Sequence, residues 1–88
     1  MTLKNKKILI IVGGGISAYK SLDLIRLLKK ENVDVKTILT KSGREFVTPL
    51  SLTTLTKSKT HEDLFDKTIE TEIDHISLSR WADLIVVM

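Results

Sequence analysis

Two features of this 88-residue chain point most directly to chemistry: the glycine run Gly13-Gly14-Gly15 and the histidine His75 beside Asp74. The spacing Gly13-x-Gly15-x-x-Ala18 falls between an aliphatic run and a segment of helical period. In that setting glycines let the backbone turn sharply and let phosphate oxygens approach the N–H groups at a helix start. A tight strand-to-helix turn with no ligand asks for the same residues, so the loop alone leaves both readings open. A Walker-type loop nearly fits Gly14 to Ser21, with Lys20-Ser21 in place. Tyr19 stands where the second glycine belongs, and its Cβ would obstruct the wrap around the phosphates, so the ATPase reading is rejected. A dinucleotide fold expects an acidic residue at the end of the second strand, about 20 residues on, to hold the ribose hydroxyls. Here the segment reads Leu39-Thr40-Lys41-Ser42, which argues against NAD. A mononucleotide such as FMN remains open, as does NADP through Lys41 and Arg44.

His75 follows an acidic stretch and stands at an expected helix start, where the helix dipole favours a neutral ring able to accept a proton. Taken alone, a histidine in that place is more simply a capping or surface residue. His61 is read as structural. Glu62 and Asp63 have no ligand pattern around them, so no metal is expected. With no cysteine there are no disulfides, thiol nucleophiles or thiolate metal sites, and a cytoplasmic location is the default. The charge balance of 14 basic to 11 acidic residues is a mild excess without a basic stripe, and nucleic acid is not expected as a partner. The longest apolar runs, Ile8 to Val12 and Leu84 to Met88, are far short of the roughly 20 residues a membrane helix needs, and no secretory signal is visible.

The elements that must position these residues follow from hydrophobic period. Lys7 to Val12 has no polar face, as expected of a strand buried on both sides of a parallel sheet. From Ile16 the period turns helical, with Ala18, Leu22, Ile25 and Leu28 on one face and Asn32 as the stop. Val33 to Thr40 alternates as a second strand, nearer the sheet edge than the first. Residues 7–40 thus read as a strand, glycine loop, helix and strand in a parallel crossover. Ser42-Gly-Arg-Glu45 matches a capping box opening a short helix, and Thr48-Pro49 a second helix start. Residues 60–74 read as a polar loop with one helical turn around Asp63 to Phe65. A helix over His75 to Ala82 would bury Ile76, Leu78 and Trp81, and Leu84 to Met88 would be another apolar strand.

Four stretches, in order, carry a resemblance. They are Gly-Gly-Gly-Ile-Ser-Ala-Tyr-Lys (13–20), Thr-Lys-Ser with Phe46 after it (40–46), Pro-Leu-Ser-Leu (49–52) and His-Ile-Ser-Leu-Ser-Arg-Trp-Ala-Asp (75–83). Together they resemble the homo-oligomeric flavin-containing cysteine decarboxylase family, nearest to its bacterial phosphopantothenoylcysteine decarboxylase branch, often fused to phosphopantothenate–cysteine ligase. The resemblance spans nearly the whole chain, and its most specific part is the segment 75–83. It implies a doubly wound α/β, Rossmann- or flavodoxin-like fold binding FMN between subunits of a homo-oligomer, a trimer or a multiple of trimers. By position it implies that Gly14, Gly15, Ile16 and Ser17 line the FMN phosphate and ribityl region. The resemblance likewise implies that Thr40 and Ser42 contribute hydroxyls, that Phe46 packs near the flavin, and that His75 is the catalytic histidine.

The implied reaction is redox-assisted decarboxylation of 4′-phosphopantothenoylcysteine to 4′-phosphopantetheine, in coenzyme A biosynthesis. Residues 1–88 are then expected to be the N-terminal part of a single FMN-binding domain, ending after a core strand and inactive alone. The later Pro-x-(Ser/Ala)-Ala-Asn and Pro-x-Met-Asn stretches of the family and its reductive-step cysteine do not occur in these residues. Other readings are a peptidyl-cysteine decarboxylase or flavin prenyltransferase of the same superfamily, an NADP-binding module, and an inactive regulatory flavoprotein subunit.

Overall fold

A computed structural model describes residues 5–63 and 76–88. Among these residues four strands, β1 (Lys7–Val12), β2 (Asp34–Thr40), β3 (Thr60–Asp63) and β4 (Leu84–Val87), form one sheet in the order β3-β2-β1-β4, every pairing parallel. The aliphatic run of β1 therefore lies inside the sheet, hydrogen-bonded on both edges, with Ile8 opposite both Val35 and Leu84. The pleat divides its side chains between two cores. Ile8, Ile10 and Val12 pack with Ala18, Ile25 and Leu28 of helix α1 (Ser17–Lys30) and Leu52 of helix α2 (Pro49–Thr56). Leu9 points the other way, to Ile38 and Leu78 of the helical segment 76–81. Cover on both faces of the parallel sheet is what the lack of a polar face on β1 predicts, and it is the doubly wound α/β arrangement that the resemblance implied. Among the described residues no helix is long and apolar enough to cross a membrane.

The end of α1 shows how local sequence sets the crossover length. Asn32 takes a left-handed conformation (φ 60°), a state asparagine tolerates better than most residues. The Asn32 amide then donates to the Lys29 carbonyl and the Val33 amide to the Leu28 carbonyl, each at 3.1 Å. This Schellman closure turns Val33 into the core beside Leu28 and delivers the chain directly into β2. At α2, the Thr48 hydroxyl accepts from the Ser51 amide at 3.1 Å, with Pro49 in the first turn, as expected.

Four expectations are corrected. Ser42 makes no side-chain capping bond and is itself helical in backbone, so the capping box does not form; Gly43–Glu45 is a single 3-10 turn. Thr60–Asp63 is a strand rather than loop, because pairing with Thr37–Thr40 supplies the order that its polar composition does not advertise. That strand takes the edge position, leaving β2 interior. In segment 76–81 only Leu78 is buried: Ile76 is 54% exposed, and half-buried Trp81 has the Lys36 ammonium 4.6 Å from its ring centroid. The expected helical turn beyond Asp63, and its Phe65, lie outside the described residues.

Candidate functional site

The C-terminal ends of β1 and β2 bring two loops together, and the glycine spacing and the loop residues that the resemblance implied gather there. At the first loop, Gly13 is pinned to the neighbouring strand end, its amide donating to the Met88 carbonyl at 2.8 Å. Gly15 then adopts φ +103°, a conformation that side-chain-bearing residues rarely take, and the chain enters α1 at Ser17. No side chain caps this helix. The Ala18 and Tyr19 amides are taken by the Gly15 and Ile16 carbonyls, at 3.1 and 3.0 Å. The amides of Gly14, Gly15, Ile16 and Ser17 donate to no acceptor among the described residues. Helix starts leave N–H groups unsatisfied and carry the positive end of the helix dipole, so four consecutive open donors suit a phosphate.

The second loop abuts the first. A Cβ on Gly14 would stand 2.9 Å from the Ser42 Cβ, so the two loops touch without room for a methyl group. Ser42 is exposed and its hydroxyl has no partner among the described residues. Thr40 differs: its hydroxyl donates to the Val12 carbonyl at 3.2 Å and accepts from the Gly43 amide at 3.1 Å. Phe46, half-buried, meets Tyr19 edge-on with ring centroids 5.9 Å apart, which places an aromatic pair beside the start of α1. Arg44 pairs with Glu62 of β3 at 3.2 Å. Its guanidinium is therefore already engaged by a carboxylate, which weakens the NADP reading of Lys41 and Arg44.

Gly14, Gly15, Ile16, Ser17, Thr40, Ser42 and Phe46 thus cluster at one end of the sheet, while His75 lies outside the described residues. Two participants were not singled out from sequence. Gly43 is buried, and a Cβ there would come within 2.6 Å of the Val12 carbonyl oxygen. Tyr19 was noted as an obstacle to a Walker loop and within the stretch 13–20, with no role of its own. A glycine three residues past a strand end was the available signal for Gly43. Nothing local marked Tyr19 as the partner of Phe46.

The family model described as Flavoprotein matches residues 1–88. The coenzyme A biosynthesis bifunctional protein CoaBC of Vibrio vulnificus is 42% identical over 86 residues, 98% of this chain and 21% of the relative. The corresponding protein of Haemophilus influenzae is 41% identical over 87 residues, 99% of this chain and 22% of the relative. The chain therefore spans about a fifth of the length of these curated relatives. Among solved structures, the FMN-dependent cysteine decarboxylase SpaF superposes with a TM-score of 0.73 at 19% identity, covering 100% of this chain and 50% of that one. HAL3 from Cryptococcus neoformans superposes at 0.63 with 26% identity, covering 94% of this chain and 51% of that one. Fold, glycine turn and sequence agree, and the chain belongs to the Flavoprotein family.

Proposed function

We propose that these residues form the phosphate-binding part of an FMN site, in a protein that decarboxylates 4′-phosphopantothenoylcysteine to 4′-phosphopantetheine. The observation that carries this reading is the row of four amides at Gly14 to Ser17 with no acceptor among the described residues, lying against Ser42 in a Flavoprotein-family chain. Identity near 40% to CoaBC proteins supports the coenzyme A step over other members of the superfamily.

The residues fit the cofactor's phosphate. A phosphate monoester presents acceptor oxygens, and the loop offers donors with the positive end of a helix behind them. Gly15 meets no atom within 4 Å of where a Cβ would stand, leaving open space at the turn for a bound group. Thr40 and Ser42 line the site on the side of the β2 loop, with the Ser42 hydroxyl unengaged among the described residues, and Phe46 gives the aromatic side. When bound, FMN supplies reversible two-electron redox capacity beside the substrate's cysteinyl group. His75 is assigned the proton transfer. A positioned general base is typically worth about 10²–10⁴ in rate, and an imidazole can exchange a proton near neutral pH where an amide cannot. The working assembly is proposed to be a cytoplasmic homo-oligomer built on trimers.

The test is His75→Asn in the full-length protein. The variant is expected to purify yellow and to lose carbon dioxide release from the substrate by at least about 100-fold. A yellow, fully active variant refutes the catalytic assignment, and a colourless one makes His75 a structural residue of the flavin site.

A further inference from the structure

Thr40 and Ser42 both carry a hydroxyl at the same loop, yet the two hydroxyls are in opposite states. Thr40 has spent its one proton on the Val12 carbonyl at 3.2 Å, and one of its lone pairs receives the Gly43 amide at 3.1 Å. An ionised phosphate oxygen only accepts hydrogen bonds, so a hydroxyl whose proton is already given away has nothing to offer it. Ser42 makes no such bond among the described residues and is exposed where the loop touches Gly14. We infer that Thr40 is a positioning residue: its hydroxyl latches the loop after β2 onto the end of β1, and thereby holds Ser42 against the glycine loop.

The latch has the geometry such a role needs. It ties residues 28 positions apart, Thr40 to Val12, and the Val12 carbonyl is the last of β1 before the glycines. Gly43 completes it from the other side. Its Cα lies so close to β1 that a Cβ would approach the Val12 oxygen to 2.6 Å and the Gly13 oxygen to 3.2 Å. Once Gly43 is seated there, Ser42 is fixed one residue away, against Gly14. Removal of the Thr40 hydroxyl leaves the Gly43 amide without its acceptor, in a buried position. An orphaned buried donor is unfavourable, so the loop would lift to reach water and carry Ser42 off the cradle.

This inference rests on the proposed FMN site for its functional consequence but not for the latch itself, and the test separates the two. Amide hydrogen exchange at Gly43 is measured without flavin in the full-length protein and in Thr40→Val and Thr40→Ser, followed by FMN titration of all three. Valine keeps the shape and removes both hydrogen bonds; serine keeps the hydroxyl. The expected result is that Thr40→Val exchanges Gly43 about tenfold faster and binds FMN about tenfold more weakly, and that Thr40→Ser restores both. Unchanged Gly43 exchange in Thr40→Val, with or without weaker flavin binding, overturns the latch. Faster exchange with unchanged FMN affinity also overturns it, because the latch would then position nothing. Failure of the unsubstituted protein to bind FMN, with Gly43 still deprotected in Thr40→Val, overturns the flavin reading and leaves the latch standing.

Discussion

Among the described residues, the loop after β1 leaves four backbone amides without an acceptor, while the loop after β2, in contact with it, ties the Thr40 hydroxyl and the Gly43 amide back to the end of β1. The first holds Gly15 in a conformation most residues avoid, with no atom near its missing Cβ. The second holds Gly43 where a Cβ would meet two backbone oxygens. Both glycines permit close approach, but to different things: Gly15 to whatever enters the site, Gly43 to the protein itself. The open backbone donors sit on one loop, and the bonds that hold the two loops together are built into the other.

Gly43→Ala should break this division most severely. Its Cβ would stand 2.6 Å from the Val12 oxygen and 2.9 Å from Leu39 Cδ1, and a carbonyl inside a strand has little freedom to move. A loss of about 3 kcal/mol in unfolding free energy is expected, together with the flavin. Denaturant midpoints will check it; a midpoint equal to the parent's would mean the loops are not pressed together in solution. Gly15→Asp should do the reverse, removing flavin while sparing most of the fold. Strain at φ +103° costs about 1–3 kcal/mol, and the added carboxylate repels a phosphate from the cradle. Gly15→Ala carries strain of the same kind without the charge, so absorbance of the two purified variants side by side separates these causes.

Ser42→Ala sharpens the comparison at lower amplitude. The hydroxyl is exposed and unengaged among the described residues, so stability should stay within about 0.5 kcal/mol of the parent. FMN affinity should fall by about fivefold, the value of one hydrogen bond. Equal affinity would show that the serine hydroxyl does not reach the ligand. The smallest effect is expected from Glu62→Gln. Its pair with Arg44 is solvent-accessible, with side chains 35% and 45% exposed, and such pairs contribute less than about 1 kcal/mol. A larger change in thermal midpoint would mark the bridge as part of the latch.

Local sequence was enough to place residues 7–40 and the helix start at Thr48-Pro49. Their signals are carried by near neighbours: the unbroken aliphatic run of β1, the helical spacing of Ala18, Ile25 and Leu28, and the turn residues between them. The glycine turn was legible for the same reason, whereas Ile16, Ser17, Thr40, Ser42 and Phe46 were assigned by position from the family resemblance. Other features depended on partners far along the chain. The polar residues Thr60–Asp63 became a strand because β2 offered a parallel edge. Ile76 stayed exposed although its helical spacing suggested burial, because it is Leu78 that meets the far face of the sheet at Leu9 and Ile38. The states of the Thr40 and Ser42 hydroxyls were decided by tertiary structure alone. Residue type gave each the same donor and acceptors, and only the arrival of the Val12 carbonyl, 28 residues away in sequence, consumed one and left the other available.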